Sequence, residues 1–248
     1  MDMLSEFIMS ERFHYDDDDQ NKFAIFCWPA LRYYGFLLII LDKYEKASKK
    51  MVEVLEKERK LMPKGDGRPV RVTMKQARLM EKSSGLMRLV HLEIESFYLF
   101  AKIFLDNVDN VARFLYVYFG QIHLKGAGLQ SHDNLAQYHE KYFKAKGIVI
   151  PENLSESIIL LKERICDYRD KEISHEHSLR AIKATSWSLS SGAIIAGGTI
   201  NPRQGDKRAS TEELPTLMDS INIYIRQVIT LIETNREKSK LKLRDRNN

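Results

Sequence analysis

The chain has few of the residues that interrupt helices. Only six prolines and twelve glycines occur among its 248 residues. Because proline and glycine mark turns and short strands, their scarcity favours long helices. We therefore predict an all-α fold, a helical bundle of about five helices. Residues 180–202 are rich in serine, glycine, alanine and isoleucine, and this composition fits either a small β-hairpin or a long loop.

Cysteine is also scarce. Cys27 and Cys166 are the only two, neither belongs to a Cys-x-x-Cys pair, and both lie in apolar helical stretches. This pattern is typical of reduced thiols in the core of a cytosolic protein. The first residues also lack the basic stretch followed by an apolar stretch that defines a secretory signal. We therefore expect a cytoplasmic location.

Common catalytic and cofactor-binding motifs are missing. The chain has no glycine-rich phosphate loop, no His-Glu-x-x-His and no Gly-x-Ser-x-Gly. Residues 125–128, Lys-Gly-Ala-Gly, lack the third glycine and the preceding strand of a nucleotide-binding loop. His132 and His139 are seven residues apart, but a metal site needs further ligands, and exposed helical histidines are the simpler interpretation. We predict neither a cofactor nor a metal site.

Charge is unevenly distributed along a mildly basic chain. The formal net charge is +5, which is compatible with an RNA or DNA partner without indicating one. Aspartates occupy positions 16–19, and lysine and arginine dominate the C-terminal end. Terminal charge runs are usually solvated. We interpret residues 1–20 as a flexible acidic leader, 21–236 as a single all-α domain and 237–248 as a basic disordered tail.

One apolar stretch has the length of a membrane span. Residues 23–41 carry a single charge, Arg32, with Pro29 and Gly35 close by. A charge at the centre of a span is where lipid tolerates it least, so a buried core helix is the better interpretation and a membrane anchor the weaker one. We expect these residues to lie inside the protein, with Arg32 near an acid or at a water-exposed edge, and we expect no stable membrane insertion.

Apolar periodicity predicts where the helices lie. The predicted ranges are 21–61, 73–119, 133–146, 153–175 and 211–236, with a loop at 63–69. From Ile94 onward, apolar and aromatic residues recur every three or four positions. Charged residues fall on the other side of this helix, which we expect to face solvent. They are Glu95, Lys102, Asp106, Asp109 and Arg113.

The stretch with the most plausible chemistry closes the fourth predicted helix. Residues 165–175 read Ile-Cys-Asp-Tyr-Arg-Asp-Lys-Glu-Ile-Ser-His, so five residues separate Arg169 from His175, and Asp170 follows the arginine. This run resembles the signature of the HEPN superfamily. Its members are all-α proteins in which an arginine, four to six residues and a histidine close a late helix of the bundle. The likeness covers about residues 90–235.

The resemblance implies an activity and roles for three residues. Many active members are metal-independent endoribonucleases that work as dimers, and one branch contains toxins and abortive-infection proteins. By this likeness, His175 would take the 2′-hydroxyl proton of RNA, because histidine has a pKa near neutral pH. Arg169 would hold the scissile phosphate with its bidentate guanidinium. Asp170 would orient the imidazole or the arginine.

Helical geometry constrains such a site. Residues six apart on an ideal helix lie about 120° around its axis from each other, so Arg169 and His175 do not stack. A distorted helix, a long reach by the arginine side chain, or the pairing of two copies would each bring the side chains together. The last alternative suits an isologous homodimer in which each motif meets its copy. We predict a homodimer of this kind.

Two other features of the motif bear on function. His175 lies seven residues after Tyr168 on an apolar face, so it can equally be a hydrogen-bonded core histidine. The protein would then be a non-catalytic helical dimerisation or interaction module. In the toxin branch regulated by nucleotidyltransferases, a tyrosine follows the histidine by two positions, where this chain has His177. That departure argues against modification by such a partner, while an antitoxin or another regulatory protein still fits the resemblance.

Overall fold

In a computed structural model of the chain, the described residues are 2–61, 72–116, 132, 143–166, 182–188, 194–200 and 214–245. The α-helices of these residues are α1 (Met3–Glu11), α2 (Asp17–Leu61), α3 (Met74–Tyr116), α4 (Leu154–Leu161) and α5 (Leu214–Thr234). Short 3-10 turns follow α1 and α5, and a π-helical turn, Lys162–Cys166, extends α4. The predicted all-α class is confirmed.

A β-hairpin accompanies the helices. Its strands, β1 (Ile182–Ser188) and β2 (Ile194–Ile200), pair antiparallel with Ile182 opposite Ile200. The sequence left residues 180–202 open between a hairpin and a long loop. The structure shows the hairpin.

Local capping explains where the two long helices begin. The side chain of Asp16 accepts a hydrogen bond from the backbone N–H of Asp19 at 2.9 Å, so α2 begins at Asp17 and not at residue 21. At the start of α3, the Gln76 N–H donates to Thr73 Oγ1 at 3.3 Å, and the Thr73 N–H donates to Gln76 Oε1 at 2.7 Å. This reciprocal capping box fixes the first turn of α3, as the predicted start at residue 73 requires.

Parts or all of five predicted elements lie outside the described residues. They are the loop at 63–69 and the helical residues 117–119, 133–142, 167–175 and 211–213. Residues 144–147, where the third predicted helix was expected to end, form a turn instead. Gly147 has a φ of +65°, a left-handed conformation that glycine adopts without strain. The predicted helix is therefore wrong at its C-terminal end.

The chain divides into two compact units. Unit 1 contains the described residues 2–37, 98–116, 132, 143–166 and 218–245. Unit 2 contains residues 38–61, 72–97, the β-hairpin and residues 214–217. The sequence-based prediction was a single domain. In the structure α2 and α3 each contribute residues to both units. The apolar periodicity continues along each helix without a linker, so the sequence shows no boundary between the units.

Four helices line a small cavity in the core of unit 1. Phe7 of α1, Cys27 of α2, Val111 of α3 and Val228 of α5 are among the buried side chains that line a small apolar cavity of about 30 Å³. Cys27 and Cys166 are both buried, and neither forms a disulfide in the described residues, as predicted. Burial raises the pKa of Cys27 to about 12, so this thiol stays protonated and unreactive at neutral pH.

The N-terminal residues are part of this core. Leu4, Phe7 and Ile8 of α1 are buried, and Tyr15 is 0% exposed. The Phe7 ring meets the Phe23 ring edge-on, with 6.3 Å between the ring centroids. The prediction of a flexible leader over residues 1–20 is therefore wrong for the described residues. Leu4, Phe7 and Ile8 have the spacing of a buried helical stripe, which the acidic run after them obscured.

The C-terminal residues up to 245 are also packed on unit 1. The Lys242 N–H donates to Asp19 Oδ2 at 2.8 Å, and the Asp16 N–H donates to the Lys242 carbonyl at 2.9 Å. Arg244 forms a 2.6 Å ion pair with Asp17, and Leu241 is buried. The prediction of a disordered basic tail is wrong here, because the acidic run binds this basic segment through main-chain and side-chain contacts.

The apolar stretch of α2 is buried on one face only. Phe23, Cys27, Tyr34 and Leu37 point into the core, whereas Trp28 on the outer face is 63% exposed. The expectation that residues 23–41 lie inside the protein thus holds only for one face of the helix. By length and composition α2 is the one helix of the described residues that qualifies as a membrane span, a test that core helices of soluble proteins also pass.

Arg32 lies on the outer face of α2 and is exposed to solvent, which satisfies the sequence-based expectation of a water-exposed edge. Its guanidinium carbon lies 5.2 Å from the Tyr33 ring centroid and 5.6 Å from the Phe36 ring centroid. Cation–π attraction of this kind is worth roughly 0.5–1 kcal/mol at an exposed site. The arginine thereby covers part of an aromatic surface that would otherwise face water.

Candidate functional site

The predicted catalytic residues Arg169, Asp170 and His175 lie outside the described residues. The last described residue before them is Cys166, at the end of the π-helical turn that extends α4. Cys166 is 0% exposed. The chain is therefore buried in unit 1 at Cys166, three residues before Arg169 in the sequence.

A group of polar side chains, three of them fully buried and one half-buried, lies in this part of unit 1. We call it the Asp109 cluster and define it by Asp106 and Asp109 of α3, His132, and Tyr224 of α5. Asp109 and His132 are both 0% exposed, as is Tyr224. The sequence-based prediction placed Asp109 on a solvated helix face and treated His132 as an exposed polar residue. Both predictions are wrong.

Asp106 organises one side of the Asp109 cluster. Its Oδ1 accepts a hydrogen bond from the backbone N–H of His132 at 2.9 Å and one from Lys102 Nζ, also at 2.9 Å. Lys102 is itself buried, so its place on the predicted solvent face is also wrong. The His132 Nε2 lies 3.2 Å from the Ile158 carbonyl oxygen of α4. A carbonyl can only accept, so this contact selects the tautomer that carries its proton on Nε2.

Asp109 has the least compensated charge of the cluster. Neither carboxylate oxygen has a hydrogen-bond partner in the described part of the chain. The nearest cation is Arg113, whose Nη1 lies 3.7 Å from Asp109 Oδ2. Burial raises the pKa of Asp109 to about 7, against the lowering effect of Arg113. A carboxyl group with such a pKa gains and loses a proton near neutral pH, as acid–base groups of active sites do.

Tyr224 connects the cluster to the end of the π-helical turn. Its ring is perpendicular to the His132 ring, with 5.4 Å between the centroids, and its hydroxyl has no hydrogen-bond partner in the described residues. Burial, followed by the charges of Asp109, Cys166 and Asp106, raises its pKa well above the ordinary value. Tyr224 therefore stays a neutral phenol, able to donate a hydrogen bond that the described residues do not accept.

A signal for the buried position of Asp109 was present in the sequence. Leu105 lies four residues before it and Ala112 three residues after it, and both are buried. These two positions share a helix face with Asp109. They form a second apolar stripe beside the aromatic one, so α3 is buried over more of its circumference than a single amphipathic stripe indicates.

Among the described residues, no group of three or more histidine, cysteine, aspartate or glutamate side chains is placed to hold a metal ion. Comparison of the chain with protein-family models, with curated proteins and with solved structures gives no significant match.

Proposed function

We propose that the protein is a HEPN-like, metal-independent endoribonuclease in which His175 is the general base and Arg169 binds the scissile phosphate. The observation that carries the proposal is the Arg169–Asp170…His175 pattern, which closes the fourth predicted helix of a protein that is all-α. Cys166, three residues before Arg169 in the sequence, is buried in unit 1. An RNA substrate, a homodimer, a cytoplasmic location and an antitoxin or regulatory partner belong to the same proposal.

The proposed reaction needs only side-chain chemistry. The His175 imidazole takes the proton of a ribose 2′-hydroxyl, whose oxygen attacks the adjacent phosphorus and displaces the 5′-oxygen of the next nucleotide. The products are a 2′,3′-cyclic phosphate and a 5′-hydroxyl, which takes up the proton. Arg169 offsets the negative charge that develops on the phosphoryl oxygens. Asp170 acts as a positioning residue for the imidazole or the guanidinium.

Incubation of purified protein with RNA, in the presence and absence of a chelator, tests the proposal. We expect chelator-resistant cleavage that leaves cyclic-phosphate ends. His175→Ala and Arg169→Ala should each lower the rate by about 10²–10⁴-fold, and Asp170→Ala should lower it less. His177→Ala is the matched control, because it removes an imidazole two residues away and should leave the rate unchanged.

Two measurements separate the proposal from its competitors. Circular dichroism and size-exclusion chromatography should show each variant folded and dimeric, and unfolding of His175→Ala would favour a core histidine. Cleavage unaffected by His175→Ala would place the site elsewhere.

The alternative is a non-catalytic interaction module, and one observation favours it. Ile25 and Trp28 on the outer face of α2 are 69% and 63% exposed, and exposed apolar patches often mark interaction surfaces. A wild-type protein that cleaves no RNA, but binds a partner that Trp28→Ser releases, would make this alternative the better description.

A further inference from the structure

A basic groove lies in unit 2, where the end of α2 meets the beginning of α3. It has a volume of about 730 Å³ and is lined by Lys57, Lys60, Leu61, Met74, Lys75, Arg78 and Leu79. Gln76 Nε2 donates to the Leu61 carbonyl at 2.7 Å, and Ser83 Oγ donates to Glu58 Oε2 at 3.0 Å. These two bonds show that the helices run antiparallel at the groove and hold its walls together.

The cations of the groove have no counter-ions in the described residues. Lys57, Lys60, Lys75 and Arg78 are all exposed, and none of them has an ion pair or a hydrogen bond with the described part of the chain. Glutamates lie three or four residues away along both helices but do not pair with these cations. The positive charge of the groove is therefore available to a ligand.

Helix stability does not explain this arrangement. Cations in the last turn of α2, such as Lys60, interact favourably with the negative end of the helix dipole. Lys75 lies in the first turn of α3, where the dipole is positive and no acidic residue occurs. A cation is disfavoured there by roughly 0.3–1 kcal/mol. Arg78 lies one turn further along and gains nothing from the dipole, so the dipole does not account for these two cations beside Lys57 and Lys60.

We propose that this groove binds the phosphate backbone of a single nucleic-acid strand. On each helix two cations lie three residues apart, with Cβ atoms about 5–6 Å from each other, so the groove offers two short rows of positive charge to a chain of phosphates. Exposed, long side chains suit a repeating polyanion better than one small anion. The lining contains no aromatic ring, so binding depends on the backbone and not on base stacking.

The inference does not depend on cleavage. It assigns a binding surface in unit 2, whereas the proposed catalytic motif follows the buried end of α4. Because backbone binding releases counter-ions, log affinity for a single strand falls with log salt by about 0.7 per phosphate neutralised. Four cations predict a slope of about −2.8, and two cations predict about −1.4.

The test uses fluorescence anisotropy with a labelled 20-nucleotide RNA in which every 2′-hydroxyl is methylated. Such a strand lacks the nucleophile, so its binding is measured without cleavage. Between 50 and 200 mM salt, we expect the affinity of the wild type to fall about 50-fold and that of Lys60→Ala/Arg78→Ala about 7-fold. Lys43→Ala/Arg88→Ala is the matched control, because it removes one exposed lysine and one exposed arginine from the same two helices outside the groove.

The control should keep the wild-type slope, and single-stranded DNA of the same sequence should bind with similar affinity. An unchanged slope in Lys60→Ala/Arg78→Ala, or an equal loss in the control, overturns the proposal. So does equal competition by polyglutamate, which would indicate an acidic peptide, or binding to anionic vesicles without binding to the strand. Loss of cleavage in His175→Ala with binding retained keeps the two proposals distinct.

Discussion

Glu11 and Asp109 are two carboxylates in the core of unit 1 with different surroundings. They are 2% and 0% exposed. Glu11 accepts two hydrogen bonds from Arg236, both at 2.6 Å, and one from the Tyr15 hydroxyl at 3.3 Å. Asp109 has no hydrogen bond in the described residues and only Arg113, 3.7 Å away.

The difference shows two ways of tolerating a buried acid. At Glu11 a bidentate arginine and a phenol replace the lost hydration. Asp109 has no such hydrogen-bond partners among the described residues, and its raised pKa means that a proton takes the place of a counter-ion near neutral pH. A fully paired carboxylate fixes structure, whereas one left to titrate is a candidate for function.

Removal of Glu11 should have the largest effect on stability. Glu11→Ala leaves the Arg236 guanidinium without its counter-ion and the Tyr15 hydroxyl without its acceptor. Breaking a buried ion pair typically costs about 3–5 kcal/mol, and an orphaned hydroxyl costs about 1–3 kcal/mol. Because Arg236 keeps some contact with water, we expect a loss of about 5 kcal/mol in the free energy of unfolding, measured in urea.

Glu6→Ala is the control for this variant. Glu6 is exposed on the same helix, so its loss should change stability by less than about 0.5 kcal/mol. If Glu11→Ala is no more destabilising than Glu6→Ala, the pairing of Glu11 with Arg236 is not what stabilises α1 on the core.

Asp109 should make the free energy of unfolding depend on pH. Its pKa rises from 3.8 in the unfolded chain to about 7 in the fold, so its contribution is fully present below about pH 4 and is lost as the pH rises through 7. The shift corresponds to a contribution on the order of 4 kcal/mol at 1.36 kcal/mol per pH unit. Asp109→Asn removes this dependence. The free energy of unfolding of the variant, relative to that of the wild type, should therefore increase between pH 4 and pH 8.

Unfolding in urea at both pH values measures this difference. Asp219→Asn, at an exposed position of α5, removes the same charge and should follow the wild type. If Asp109→Asn also follows the wild type at both pH values, the fold compensates the Asp109 charge.

The sequence predicted the helical skeleton well, because apolar periodicity is strong along α2, α3 and α5. It failed at the chain ends. The acidic run at 16–19 and the basic C-terminal end each look solvated when taken alone. Their contacts, such as Lys242 with Asp19 and Arg244 with Asp17, join residues more than 220 positions apart. No local pattern contains that information.

The buried polar cluster was missed for a related reason. A charged residue between apolar positions of a helix is read as solvent-facing unless a second stripe is recognised on the same side. Asp109 lies between Leu105 and Ala112 on such a stripe. His132, which joins the cluster through its hydrogen bond to Asp106, lies 26 residues further along the chain. The motif Arg169–His175 lies outside the described residues, so the roles of its side chains stay predictions.

The smallest expected effect comes from two phenol hydroxyls, one beside each carboxylate. Tyr15→Phe removes a hydrogen bond to the Glu11 carboxylate and should cost about 1.5 kcal/mol. Tyr224→Phe removes a buried hydroxyl that has no partner in the described residues. Because that hydroxyl is dehydrated in the fold and hydrated in the unfolded chain, its removal should be neutral or stabilising by up to about 1 kcal/mol. Unfolding in urea at pH 7 measures both changes.

The sign of the change in the free energy of unfolding caused by Tyr224→Phe decides the comparison. If the variant loses as much stability as Tyr15→Phe, the Tyr224 hydroxyl has an acceptor in the folded protein, and Asp109 is the nearby acid that could provide it. Tyr224→Phe in the Asp109→Asn background then separates the two causes. A loss that shrinks in that background indicates direct coupling between the groups. A loss that persists indicates an acceptor elsewhere, and the two carboxylates would still differ as their contacts imply.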